Sequence, residues 1–195
     1  MVHTKKTIDY QMAENGAANE AMVFNRFTFE GEKPFSLHGE SAESAWSRGQ
    51  AWALYGFAML HRKSEDKLFL EQAEKCAEYI LSHLPEDGIP NWDFDSTDEL
   101  KDSSAAAIMA SAFIDLYNQT GKQEYLLTAE RQLKSLCSAE YLAAAEAEGV
   151  VLDISGDLPK SFVVCDHPYH RQIVYLSQLN PSTLKNRAES SKLVL

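Results

Sequence analysis

One seven-residue pattern occurs twice in this chain, 56 positions apart. Phe69-Leu70-Glu71-Gln72-Ala73-Glu74-Lys75 is echoed by Tyr125-Leu126-Leu127-Thr128-Ala129-Glu130-Arg131, and Leu60 corresponds to Leu116 at the same offset. A repeat of this period has room for two helices and their turns. Apolar residues at three- and four-residue spacing mark the same elements. They predict helices over about 44–62, 66–83, 103–118 and 122–136. Within the first, Trp46, Gly49, Ala53, Gly56, Phe57 and Leu60 fall near helical spacing, and the small residues Gly49, Ala53 and Gly56 would admit a neighbouring helix closely. Ser64-Glu65-Asp66 reads as the cap of the second, which turns Phe69, Leu70, Ala73, Ala77, Ile80 and Leu81 inward. The unit is a helical hairpin, and stacked hairpins bury a core that none buries alone. The expected class is all-α, with one short extended segment.

Ahead of the hairpins, residues 3–12 read as a short helix that Asn15-Gly16 stops. His3 to Tyr10 looks like the tail of a returning helix whose outgoing partner is missing, so the chain is expected to begin inside a repeat. Ala21 to Phe29 is Phe-rich and partly alternating, which predicts an extended segment, and Gly31 to Pro34 a turn. Between the two hairpins lies a loop from Pro85 to Asp102 with five acidic residues after Gly88.

The formal net charge of −11 over 195 residues argues against nucleic acid and anionic membrane as partners, which require a basic face. Cys76, Cys137 and Cys165 are odd in number, far apart and without a CxxC pair, so neither a zinc site nor a disulfide framework is signalled. A reducing, cytoplasmic setting is the simplest expectation. No run is apolar enough to span a membrane, and Met1 to Lys6 leads into no signal-peptide core.

The stretch that bears on chemistry is Trp46-Ser47-Arg48-Gly49-Gln50-Ala51-Trp52-Ala53-Leu54-Tyr55-Gly56. A plain core helix does not carry Arg, Gln and two Trp in its first turns. Helix starts expose N–H groups and positive potential, so one reading is a helix mouth that holds an acidic, ring-shaped ligand. The other is an Arg paired with a nearby Glu over a Trp-lined core. Asp93, Asp95 and Asp102 pose a similar choice between a working carboxylate pair and structural roles. The structural roles, Asp102 capping the next helix and the others pinning a turn, carry more weight.

The Trp46-x-Arg48-Gly49-Gln50-Ala51-Trp52-Ala53-Leu54-Tyr55-Gly56-Phe57-Ala58 segment resembles the unsaturated glucuronyl hydrolases, glycoside hydrolase family 88. Ile89-Pro90-Asn91-Trp92-Asp93-Phe94-Asp95 is similar to the family's Pro-x-Trp-Asp-Phe loop, and Asp102-Ser103-Ser104-Ala105-Ala106-Ala107-Ile108 to the helix start that follows it. The sister unsaturated rhamnogalacturonyl hydrolases carry Arg-Gly-Asn-Gly-Trp at the first motif, so Gln50-Ala51 favours the glucuronyl branch, with the sister branch as an alternative. The resemblance implies an (α/α)6 barrel of six hairpins, here an incomplete toroid. It implies a hydrolase that removes a 4,5-unsaturated uronic acid from the non-reducing end of lyase-generated oligosaccharides, without a metal or other cofactor. Chemistry there rests on aspartates that would precede the segment aligned with His3 to Tyr10, so no catalytic residue is assigned in this chain.

The resemblance does carry over substrate-binding residues: Arg48 for the uronate carboxylate, Trp52 beside it for a sugar face, and His38, although this chain reads His38-Gly39 where the family has His-Gln-Gly. Residues 1–164 then form a partial barrel domain and 165–195 a poorly matched tail; near its end the domain keeps only Gly156 and Pro159 of a family pattern, with Asp153 and Ile154 where His and Ser are usual. The non-enzymatic alternative is a remnant or carbohydrate-binding fragment. Hairpin faces left without neighbours predict self-association.

Overall fold

The computed structural model describes residues 2–142. The expectations for Asp153, Ile154, Gly156 and Pro159, for Cys165, and for the domain boundary at 164 lie outside the described residues. Five helices and two strands follow in order: α1 (Val2–Gln11), β1 (Ala21–Phe24), β2 (Gly31–Phe35), α2 (Ser47–Ser64), α3 (Lys67–His83), α4 (Ser103–Thr120) and α5 (Gln123–Leu136).

The repeat is visible residue by residue. Helices α2 and α3 form one αα-hairpin, α4 and α5 the next, and α2 packs along α4. Phe57, Phe69, Ala73 and Ile80 are buried in the first hairpin, and Phe113, Tyr125, Ala129 and Leu136 at the same offset in the second. Even the turns correspond. Glu65 and Gly121 both close their helices in the left-handed conformation, at φ 58° and 73°, donating backbone N–H to His61 O and Tyr117 O. The next residue in each case starts the returning helix, and Asp66 caps α3 by accepting from Leu68 N. Helix α4 is the centre of the assembly. Residues 103–110, then Ala112, Phe113 and Leu116, are all buried, and both α2 and α5 pack along it. Its run of alanines lets both neighbours approach.

Two ion pairs give the direction of packing. Arg48, in the first turn of α2, meets Asp102 at the start of α4, while Arg62 near the end of α2 meets Asp115 further along α4. The two helices are therefore parallel, as two inner helices of successive hairpins must be. The face of α2 that packs is Ala51, Leu54, Phe57 and Ala58. This corrects the small-residue seam expected from Gly49, Ala53 and Gly56; a Cβ added at Gly56 would meet nothing within 4 Å. The helix also begins at Ser47, not Ser44, since the Ser44 hydroxyl bonds Asp93 and leaves Trp46 as an N-cap with no side-chain cap bond.

The extended segment needs a second correction. It ends at Phe24, and the stretch read as a turn, Gly31 to Pro34, is most of β2. The strands pair antiparallel, with Ala21 opposite Phe35 and Phe24 opposite Gly31. Asn25 breaks the first strand. Its side-chain oxygen accepts from Phe27 N and Thr28 N, and its own N–H reaches Glu30 O, which closes the hairpin turn. The strand-like Phe27 and Phe29 thus stand on the turn, highly exposed. This N-terminal portion is tied to the hairpins by Gln50. That side chain is fully buried, accepts from Ala18 N at 2.7 Å and donates to Gly16 O at 2.8 Å. No described helix is long and apolar enough to cross a membrane.

The matched turns generate a test. A glutamate in the left-handed region carries a steric cost that glycine does not. Glu65→Gly is expected to raise stability by about 1 kcal/mol and Gly121→Ala to lower it by about as much. Urea denaturation midpoints check both; no change at either position would show that these turns are not strained.

Candidate functional site

The first turns of α2 and α4 lie side by side, and the loops at 36–46 and 85–102 close over them. Arg48 is 9% exposed, and its Nε lies 2.9 Å from Asp102 Oδ2. The Asp102 carboxylate is fully buried and is held on its other oxygen by Ser104 N, Ala105 N and the Ser104 hydroxyl. One aspartate thus caps α4 and aims Arg48. The choice posed for Arg48 resolves in part: it is a paired core arginine, and the partner is Asp102 of the next hairpin, not a neighbouring Glu.

The guanidinium lies 4.9 Å from the Trp46 ring, and His38 stacks on the same ring at 4.6 Å and 20°. Trp46 is therefore the piece that joins two of the three residues carried over by resemblance. The Trp46 indole N–H is buried and has no acceptor among the described residues, although a buried indole usually finds one. Trp52 stands apart from this cluster. It is one turn beyond Arg48 but 48% exposed, with its ring edge-on to Tyr55 at 5.9 Å. Sharing a helix side has not given Arg48 and Trp52 a shared environment.

The shortened His38-Gly39 loop fits because Gly39 is seated against the acidic loop. A Cβ there would lie 2.7 Å from Ser36 Oγ and 3.0 Å from both Asp93 Oδ2 and Ser44 Oγ. Asp93, fully buried, accepts from Ser44 Oγ, Glu40 N and Asp95 N, while Asp95 accepts from Ala45 N. These carboxylates pin the two loops together, the structural role favoured from sequence. Burial, reinforced by the charges of Asp95 and Asp93, pushes the nearby Tyr79 phenol up to about 12. Among the described residues no group of three His, Cys, Asp or Glu side chains could hold a metal ion.

Glu20 had no signal in the sequence. It lies in an irregular stretch 18 positions before His38, yet its carboxylate binds the His38 ring and three more donors from 36–38. Burial raises its pKa, but those hydrogen bonds outweigh it and bring the group down to about 2. Gln50 did have a signal, as an amide among apolar residues in a helix start, but its partner is backbone and not ligand.

No family model matches the sequence. An unsaturated glucuronyl hydrolase of Formosa agariphila is 32% identical over 166 residues, which is 82% of this chain and 42% of that protein. One of Bacillus sp. strain GL1 is 34% identical over 109 residues, 52% of this chain and 29% of the relative. A crystal structure of an unsaturated glucuronyl hydrolase specific for heparin superposes with a TM-score of 0.80 at 34% identity, covering 83% of this chain and 46% of that one. The chain belongs to the unsaturated glucuronyl hydrolase family. It spans less than half the length of these relatives. Its two hairpins are part of the family's (α/α)6 barrel.

This geometry makes two predictions. Asp102→Ala removes a cap and a buried charge partner together, so a loss of about 3 kcal/mol or more is expected, against about 1 kcal/mol for Asp66→Ala, which removes only a cap. Equal losses in urea denaturation would mean that the Arg48 pair adds nothing. The second concerns pH. With Glu20 at about 2 in the folded state against an ordinary 4.5, its contribution is complete above pH 4.5 and is lost as pH falls towards 2. Glu20→Gln is expected to flatten the stability profile in that window, measured by denaturation midpoints at stepped pH.

Proposed function

We propose that this chain forms the uronate-binding wall of an unsaturated glucuronyl hydrolase, whose reaction removes a 4,5-unsaturated uronic acid from the non-reducing end of an oligosaccharide. The observation that carries the reading is an oriented guanidinium at the paired N-terminal ends of two helices. A cation in the first turn of α2 opposes the helix dipole, and Asp102 offsets that cost. An incoming carboxylate gains from Arg48 and from the start of α2, which has no side-chain cap bond. His38 meets the ligand across the Trp46 ring, and Trp52 offers an exposed face to a sugar ring. The relatives support the substrate class. An unsaturated chondroitin disaccharide hydrolase of Streptococcus pneumoniae is 35% identical over 107 residues, 51% of this chain and 27% of that protein. A crystal structure of a mutant unsaturated glucuronyl hydrolase from Streptococcus agalactiae, complexed with dGlcA-GalNAc6S, matches at 26% identity and a TM-score of 0.62 over 73% of this chain and 40% of that one.

The second reading is a carbohydrate-binding fragment without catalysis. It is favoured by one observation: Asp93, Asp95 and Asp102 are each committed to loop or helix-start bonds, so none of these three stands as a spare working carboxylate. Exposed Trp52, Leu127 and Phe27 support self-association of the chain, and Cys137, a free and exposed thiol, suits a reducing compartment such as the cytoplasm.

The test uses the purified chain and an unsaturated glucuronyl disaccharide. Binding is expected without loss of the alkene's ultraviolet absorbance. Arg48→Lys is expected to weaken binding by roughly thirtyfold, about 2 kcal/mol, because an ammonium lacks the planar fork. A lowered melting temperature with unchanged affinity would make Arg48 a core residue only. Turnover abolished by Asp93→Asn would overturn the absence of a catalytic group here.

A further inference from the structure

The Glu20 carboxylate is more heavily engaged than loop closure requires. Oε2 accepts from the Ser36 hydroxyl at 2.6 Å, Leu37 N at 2.8 Å and His38 N at 2.9 Å. Oε1 meets His38 Nδ1 at 2.5 Å, with the Glu20 side chain only 14% exposed. The turn is already closed by other bonds, since Ser36 Oγ also accepts from Gly39 N at 2.7 Å and Gly39 is wedged against Asp93. The bond to the ring is therefore the one that the turn does not need. A carboxylate on Nδ1 fixes which nitrogen carries the proton and leaves Nε2 as the edge for anything else. The same bond fixes the ring's plane, which stacks on Trp46, and Trp46 in turn bears on Arg48.

We propose that Glu20 is a positioning residue of the uronate site, holding the His38 proton on Nδ1 so that Nε2 is the nitrogen presented to a hydroxyl of the sugar whose carboxylate Arg48 takes. The inference rests on the reading of this helix mouth as a uronate site. Glu20 touches no ligand itself and acts through His38. Its own place is set from behind: the Glu20 backbone carbonyl accepts from Gln11 Nε2, and Gln50 anchors the chain two residues earlier at Ala18.

The experiment uses the 195-residue chain labelled with nitrogen-15. Long-range proton–nitrogen correlation reads the His38 tautomer, and titration with an unsaturated glucuronyl disaccharide reads affinity. In the wild type the His38 proton is expected on Nδ1. Glu20→Gln keeps an acceptor for the loop N–H groups, and is expected to move His38 towards the Nε2–H form and to lower affinity about tenfold. Ser36→Ala is the control: it removes loop bonds while keeping the ring bond, and is expected to lower stability with the His38 signature intact. If Glu20→Gln leaves signature and affinity as in the wild type, or if Ser36→Ala reproduces both changes, Glu20 only closes a loop and the proposal fails. If the wild type binds no disaccharide, the uronate reading falls, while the tautomer data still decide whether Glu20 holds His38.

Discussion

Arg48 and Asp102 meet where two parallel helices begin, and most of what lies around them is arranged to make that meeting tolerable. Removing both charges from water is costly, and such a pair usually contributes geometry more than net stability. Here the carboxylate is further satisfied by the first-turn N–H groups of α4 and the Ser104 hydroxyl, and the guanidinium lies against an indole. The pair joins consecutive hairpins at the end where their inner helices start. It therefore sets the register of α2 against α4, while the alanines of α4 set their separation.

The same economy recurs in the loops above. This acidic chain buries carboxylates at Asp93, Asp102 and nearly so at Glu20, and each is surrounded by N–H and O–H donors rather than by cations alone. Backbone donors in turns are fixed by the turn itself, so the carboxylate costs little further ordering. The result is that the two loops and the β-hairpin are joined by acidic side chains working as multi-pronged acceptors. None of these three is left over as a spare acid for chemistry.

How much of this was legible in the sequence depends on the kind of contact. Contacts that repeat were readable. The 56-residue offset located both hairpins, and it extends to Glu65 and Gly121, where chain reversal demands the same backbone shape of two different residues. Contacts that follow local rules were readable too, such as Asp66 and Asp102 as caps. The β-hairpin was misplaced because Phe27 and Phe29 look like strand residues by type, whereas Asn25 upstream decides the turn by binding their backbone. The packing face of α2 was misread because Gly49, Ala53 and Gly56 fit helical spacing while Ala51, Leu54 and Phe57 bury more. Arg48 and His38 were found by motif, but the residues that hold them, Trp46 and Glu20, act through rings and loop amides that leave no periodic trace.

The attachment made by Gln50 has a consequence for how such sequences diverge. Its two bonds go to main-chain atoms, the carbonyl of Gly16 and the amide of Ala18. Main-chain partners are present whatever the side chain, so Ala17 between them is open to drift. Gly16 is not: a Cβ there would lie 2.2 Å from the Lys75 carbonyl. Across related chains this predicts an invariant glutamine facing an invariant glycine, with a variable residue beside it. A pairwise search for co-varying side chains would miss the link altogether, because only one of the two partners uses a side chain.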